Sequence, residues 1–363
     1  MRLVFCRLLA SAFLSLAGIS AFSQEKAAEK YIDAQELTLI GQPRHIGGYH
    51  RVDTVRYSDL SPRIKELYSY STGMAIVFKT NSRRITAQWK TAPVGQGANM
   101  NSIAQKGLDL YIRRQGVWVW AGFGKPSGND HLDILAENMD DSDKECLLYL
   151  PLFSELLELK IGVDHQAYVK AADNPFSQQI IVWGSSITNG IAAGRSGMSY
   201  PSLMARSSGL HFVNLGISGQ SKLQPELARM LADMEADAFV FDAFSNPNPA
   251  EIESRFQNFV AIIREKHPHT PLIFLQTIVR EGGNFDLKRE AFEKDKREAA
   301  AKMVGKVRAM GDLNVFFVNP ESILGNDHTG TIDGTHPSDL GFFRMAEKWL
   351  PEILRIFSNK SIL

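Results

Sequence analysis

Cysteine is almost absent: Cys6 and Cys146 are the only two in 363 residues. Cys6 falls in a segment expected to be removed, so the mature chain has no internal disulfide. Cys146, inside the apolar run CLLYLPLF, is expected to be a buried structural thiol. No H-x-x-x-H or C-x-x-C spacing occurs, which argues against a metal site, and no glycine-rich loop opens a helix to cradle phosphate. No cofactor is implied. Charge of one sign is not in excess either, with 40 basic against 40 acidic residues, so nothing invites nucleic acid. Low-complexity tracts and internal repeats are missing as well.

The one long apolar run is at the N-terminus. Met1-Arg2 leads into a segment whose stretch Leu8 to Phe22 has no charge, and Ala21 and Ser23 stand at minus three and minus one of a cut before Gln24. This is the pattern of a secretory signal peptide over residues 1–23, and it is too short and too weakly flanked for a retained membrane span. Cys6 precedes the apolar core, which argues against a lipoprotein attachment site. Cleavage would remove Arg2 and Arg7 and no acidic residue, leaving a net charge of about −2. A secreted or periplasmic protein without stable membrane insertion is expected.

The whole chain has ordinary globular composition, 44% hydrophobic and 22% charged, and is long enough for two domains with separate cores. From about Tyr31 to Ala171, within an expected domain over 24–172, the pattern has period two. AIVFKT (75–80), RRITAQWKT (83–91), LDLYIRR (108–114), VWVWAGF (117–123), ECLLYLPLF (145–153) and LELKIGV (157–163) are short strand candidates, and Gln115-Gly116 has the form of a tight hairpin turn. An all-β sandwich or jelly roll follows. Trp118 and Trp120 share a face by alternation and are expected in its core. Thr91 to Gln105 has the composition of a long loop, a length often associated with function or mobility.

From 173 to 363 the rhythm becomes strand, loop, helix. HFVNLGI (211–217), AFVFDAF (238–244), PLIFLQT (271–277) and VFFVNP (315–320) are near-continuous apolar runs, as strands covered on both faces require. Helical patterns lie at about 199–207, 225–234, 249–267, 287–310 and 338–357. This alternation predicts a doubly wound parallel sheet.

Polar groups gather where these strands end. IIVWGSSITNG (180–190) delivers Ser185 and Ser186 to a sheet edge, where open α/β folds collect ligands. The second strand gives NLGISGQ (214–220), the third DAFSNP (242–247), and after the last comes DGTHP (333–337). Acyl transfer needs a hydroxyl, a base, a group orienting the base and donors for the developing oxyanion. Ser186, with Ser185 as its rival, supplies the hydroxyl. His336 is the base and Asp333 its orienting partner; the backbone N–H groups of Ser186 and Gly219 and the Asn246 amide are donors. Structural alternatives stand beside each: Asp333 and His336 as caps of the final helix, Asn246 as an Asx turn before Pro247. Arg195, Tyr200 and His328 lie in loops expected to reach the cleft and contact substrate. The G-x-S-x-G elbow of α/β-hydrolases is not formed, since Thr188 stands in its last glycine position.

The set GSSITNG, NLGISG, DAFSNP and DGTHP resembles the four ordered blocks of the SGNH/GDSL hydrolase superfamily, over about 180 residues. The resemblance implies a flavodoxin-like sheet with Ser186 as nucleophile, Gly219 and Asn246 as oxyanion donors, His336 as base and Asp333 as its partner. Two positions depart from the usual third block: Phe244 replaces Gly and Pro247 replaces Asp. The first half resembles the β-sandwich that precedes SGNH domains in a largely carbohydrate-linked type of bacterial esterase, with GLDLY (107–111) as the recognisable piece. Together they imply an exported serine esterase removing small acyl groups, acetyl above all, from an oligosaccharide or small-molecule ester. A lipid or thioester hydrolase of the same superfamily and a non-catalytic glycan-binding protein are the alternatives.

Overall fold

The computed structural model describes residues 29–360, so the signal-peptide segment lies outside the described residues. Three sheets organise the chain. A four-stranded antiparallel sheet has the spatial order Glu29–Asp33, Leu156–Asp164, Ile85–Thr91, Asp130–Ala136. Facing it is an antiparallel sheet in the order Val169–Ala171, Ala75–Thr80, Lys144–Tyr149, Leu108–Arg114, Val117–Gly124, with Thr38–Ile40 also on Ala75–Thr80. Phe78, Trp89, Leu110, Cys146, Leu148 and Ile161 fill the space between them. This is the expected sandwich, and Cys146 is a buried free thiol whose ionisation burial pushes upward.

The second sheet is covered on its outer face too. Ala75, Val77, Leu147 and Tyr149 join one core with Ile180, Val182, Tyr200 and Trp349 of the second half. That double burial explains why Ala75–Thr80 is apolar at successive positions instead of alternating.

The third sheet is all parallel, in the order Leu210–Asn214, Ser177–Gly184, Ala238–Asp242, Leu272–Leu275, Val315–Val318. In chain order this is 2-1-3-4-5, the flavodoxin-like arrangement, which places a topological switch beside the first strand's carboxyl end. Helices Tyr200–Ser208 and Asp339–Lys360 lie on one face. Pro225–Ala232, Pro249–Arg264 and Leu287–Ala309 lie on the other.

Two helices in the first half escape the period-two pattern. Pro62–Ser69 starts at Ser61, whose hydroxyl accepts from Ile64 N–H at 3.3 Å, and it packs Ile64 and Leu67 onto the second half's core with Trp183 and Leu215. Ser102–Lys106 interrupts the stretch expected as loop. The tryptophans also depart from expectation. Trp118 is half-buried against the shared core, but Trp120, on the edge strand, is 46% exposed and donates its indole N–H to Asp109 at 2.9 Å. A register shift between Leu110 and Tyr111 accompanies the change of environment.

Candidate active site

The first strand ends at Gly184, and a one-turn helix Ser186–Asn189 follows. Ser185 is its N-cap: fully buried, its Oγ accepts from Ile187 N–H at 3.2 Å. Its hydroxyl is thereby occupied, while that of Ser186 points elsewhere. Ser186 Oγ lies 2.9 Å from His336 Nε2, across 150 residues of sequence. Thr188, in the place where an elbow would have glycine, is tied down by its hydroxyl donating to Asp242 Oδ2 at 2.9 Å. Burial pushes that carboxyl up to about 7, against the Thr188 bond and the charge of Arg280.

Asp333 and His336 sit on a small hairpin closed by a Thr331–Pro337 bridge and by Ile332 N–H donating to His336 O at 3.0 Å. Asp333 Oδ1 accepts the backbone N–H groups of Thr335 (3.0 Å) and His336 (2.7 Å), which leaves Oδ2 for the imidazole Nδ1 at 2.8 Å. Gly334 has φ +76°, and a Cβ there would meet Gly282 N at 2.9 Å, so only glycine makes this turn without displacement. Burial would raise the Asp333 carboxyl, but the His336 backbone and ring and the Asn99 amide outweigh it and hold it well below the usual carboxylate range. A carboxylate on Nδ1 fixes that nitrogen as the proton carrier, so Nε2 presents its lone pair to the Ser186 hydroxyl. Capping of the final helix falls instead to Ser338, whose Oγ accepts from Gly341 N–H at 3.4 Å.

The second and third blocks meet through a residue the sequence reading missed. Ser221 donates its N–H (3.3 Å) and its hydroxyl (2.9 Å) to Asn246 Oδ1, which orients the side chain so that its NH2 is the free end. Gly219, two residues before Ser221, has φ +73° with open space about its Cα. The replaced glycine of the third block, Phe244, is fully buried against Phe256 and Phe274, so the substitution is absorbed by the core beneath the loop.

The three residues expected on substrate separate. Tyr200 is fully buried, with its hydroxyl 3.1 Å from Thr188 Oγ1 and its ring edge-on to Trp349, and has no face open to a ligand. Arg195 is engaged between the two halves: its Nε donates to buried Asp109 Oδ1 at 3.1 Å and it stacks over Trp120 at 5.0 Å. Gly197 N–H donates to the other Asp109 oxygen at 3.0 Å, so the GLDLY segment is a docking element for the second half. His328 is mostly exposed, with Nδ1 2.9 Å from Glu281 Oε2 and no hydrogen bond to Ser186 or His336. The stretch expected as loop contributes what sequence reasoning did not foresee: Asn99 Nδ2 donates to Asp333 Oδ2 at 3.1 Å.

Residues 177–354 match the GDSL-like lipase/acylhydrolase family, and residues 29–169 match the N-terminal domain that precedes SGNH-type esterases. A protein from Bacteroides ovatus described as a GDSL-like lipase is 47% identical, with a TM-score of 0.90 over 91% of this chain and 98% of its own. The chain belongs to the GDSL-like lipase/acylhydrolase family. As a GDSL-like protein it is a serine ester hydrolase. Two more distant structures share the fold. A salicylyl-acyltransferase from a tetracycline biosynthetic pathway is 20% identical, with a TM-score of 0.73, covering 90% of this chain and 97% of its own. An acetyl xylan esterase from the rumen bacterium Butyrivibrio proteoclasticus is 12% identical, with a TM-score of 0.55, covering 92% and 99%. No curated protein matches the GDSL-like chain. None of the helices among the described residues is long and apolar enough to cross a membrane.

Proposed function

We propose that this GDSL-like hydrolase is an exported carbohydrate O-acetylesterase working through an acyl-enzyme on Ser186. It would comprise a signal peptide (1–23), a β-sandwich (24–172) and a hydrolase domain (173–363). The observation that carries the reading is the relay Ser186 Oγ, His336 Nε2, His336 Nδ1, Asp333 Oδ2, with links of 2.9 and 2.8 Å. Ser186 Oγ attacks the ester carbonyl while His336 takes its proton, and Asp333 stabilises the imidazolium. The oxyanion is held by the N–H groups of Ser186 and Gly219 and the Asn246 amide. His336 returns the proton to the departing sugar hydroxyl, then activates water, which releases acetate. The acetyl xylan esterase of like fold supports the substrate class.

The test is acetate release from acetylated xylan or pectin oligosaccharides against hydrolysis of long-chain acyl esters. The proposal expects acetate release and a preference for the short acyl group. Glycan affinity without turnover, or a preference for long chains, would overturn it. Export is checked by the mass of the secreted chain, expected to begin at Gln24.

Asn246→Ala should lower kcat on a 4-nitrophenyl acetate substrate by about a hundred- to a thousandfold with little change in KM, because an oxyanion donor acts in the transition state. Ser221→Ala removes only the orientation of that amide and should cost less, roughly tenfold. A loss under threefold for Asn246→Ala in steady-state kinetics would remove the amide from the oxyanion site.

A further inference from the structure

We propose that Asn99, carried by the first half of the chain, is a positioning residue of the hydrolase: its amide holds Asp333 in place and tempers the grip of that carboxylate on the imidazole proton. The inference rests on the reading of Ser186, His336 and Asp333 as the reacting set.

The loop is built to deliver this side chain. On one side of Asn99, Met100 is buried in the core shared with the parallel-sheet half. On the other side of Met100, Asn101 caps the helix Ser102–Lys106 through Ala104 N–H at 2.9 Å and donates to Ala193 O at 3.3 Å and Gly194 O at 3.2 Å. Gln105 donates to Gly95 O at 2.8 Å, and Gln96 donates to Met100 O. A loop fastened to itself and to the other half leaves Asn99 little freedom, so its amide is pre-organised at the carboxylate.

The chemistry of the contact follows from what Asp333 Oδ2 already does. That oxygen accepts from His336 Nδ1 at 2.8 Å and from Asn99 Nδ2 at 3.1 Å. Asn99 Nδ2 is also 3.3 Å from Nδ1, but both nitrogens carry protons toward the carboxylate, so the contact is a neighbourly one and the bond is to Asp333. A second donor on one carboxylate oxygen withdraws charge from it. Losing that donor would leave the carboxylate a stronger partner for the imidazolium, while the ring would keep its orientation.

Other charged groups around the pair come from the second half. Arg280, buried against Ser245 O and Glu293, acts on Asp333 through its charge. Arg289 donates to Thr335 Oγ1 at 2.7 Å, Glu281 pairs with His328 beyond Gly282, and Asp339 accepts from Gly194 N–H at 2.7 Å. Asn99 is the neutral donor that the sandwich half adds to this set, so replacing it by the isosteric acid changes charge at one point with little change in shape.

The experiment compares wild type, Asn99→Ala and Asn99→Asp in the full chain, by the pH profile of kcat/KM and by NMR titration of the His336 ring. Asn99→Asp should move both the acid limb and the ring titration upward by about one pH unit, because a second carboxylate beside Nδ1 favours the protonated imidazole. Asn99→Ala should move them upward by a few tenths and lower kcat about three- to tenfold, with KM within about twofold. Ring titration and acid limb unchanged in Asn99→Asp would overturn the proposal. The ring titration reads it whether or not the substrate tried is turned over, whereas loss of the Ser186 reading would show as hydrolysis that survives Ser186→Ala.

Discussion

Ser186→Ala is expected to lower kcat for a simple acetate ester by on the order of 10⁴-fold or more, with the thermal midpoint unchanged. The hydroxyl does nothing for the fold that the structure records. Its one side-chain contact is His336 Nε2 at 2.9 Å, and the helix cap beside it is supplied by Ser185. Removing it leaves the imidazole with no proton to take and the ester with no attacking atom. His336→Ala should cost a comparable factor, because a serine without its base is a poor nucleophile at neutral pH. Since the two act as a unit, the double variant should be little worse than either single one. Additive losses, measured by steady-state hydrolysis, would mean that the two side chains work independently.

Arg51→Met is expected to destabilise the protein by about 3–5 kcal/mol, seen as a fall in thermal midpoint of roughly 10 °C. Arg51 is fully buried, and among the described residues no carboxylate pairs with it. Its guanidinium instead serves four backbone carbonyls: Leu67 and Tyr70 in the first half, Asn214 (3.1 Å) and Gly216 (2.9 Å) in the second, and it stacks on the Tyr68 ring at 5.3 Å. Burial lowers its proton affinity, to about 10, yet leaves it charged at neutral pH. Methionine fills much of the volume but strands four acceptors in a dry interface. Arg51→Lys should recover little of the loss, because a point charge cannot reach carbonyls that a planar fork addresses together. Two of those carbonyls belong to the segment leading to Gly219, so activity per folded molecule should also fall. A melting curve of Arg51→Met that overlays wild type would show that the joint between the halves does not depend on this cation.

Strands of the second half were readable because burial on both faces leaves continuous apolar runs, and its long helices because their apolar faces recur at helical spacing. Ser186 and Asn246 stand out in the sequence because each follows closely on an apolar strand, and Asp333 and His336 because they share a compact polar block just ahead of the final helix. What escaped is what a linear pattern does not encode. Arg51 and Asn214 are 163 residues apart, Asn99 and Asp333 are 234 apart, and neither pair follows any periodicity. Ser221 carries no signal of its own, because a serine that orients an amide looks like any turn serine. The helix Pro62–Ser69 did carry a signal, Ser61-Pro62 at its start, which the surrounding strand rhythm obscured. Tyr200, expected in a loop that reaches the cleft, instead begins the helix Tyr200–Ser208, and its ring turns inward onto Trp349. Arg195 was drawn inward by buried Asp109, a partner whose docking role only the fold reveals.

The central claim is that one hydroxyl, made nucleophilic by an imidazole from the far end of the chain, attacks the ester carbonyl. Its most direct test is covalent trapping with an organophosphonate ester, followed by intact mass and peptide mapping. The account predicts one adduct per chain, on Ser186, formed far more slowly in His336→Ala. An adduct on Ser185, or labelling at a rate indifferent to His336, would contradict it.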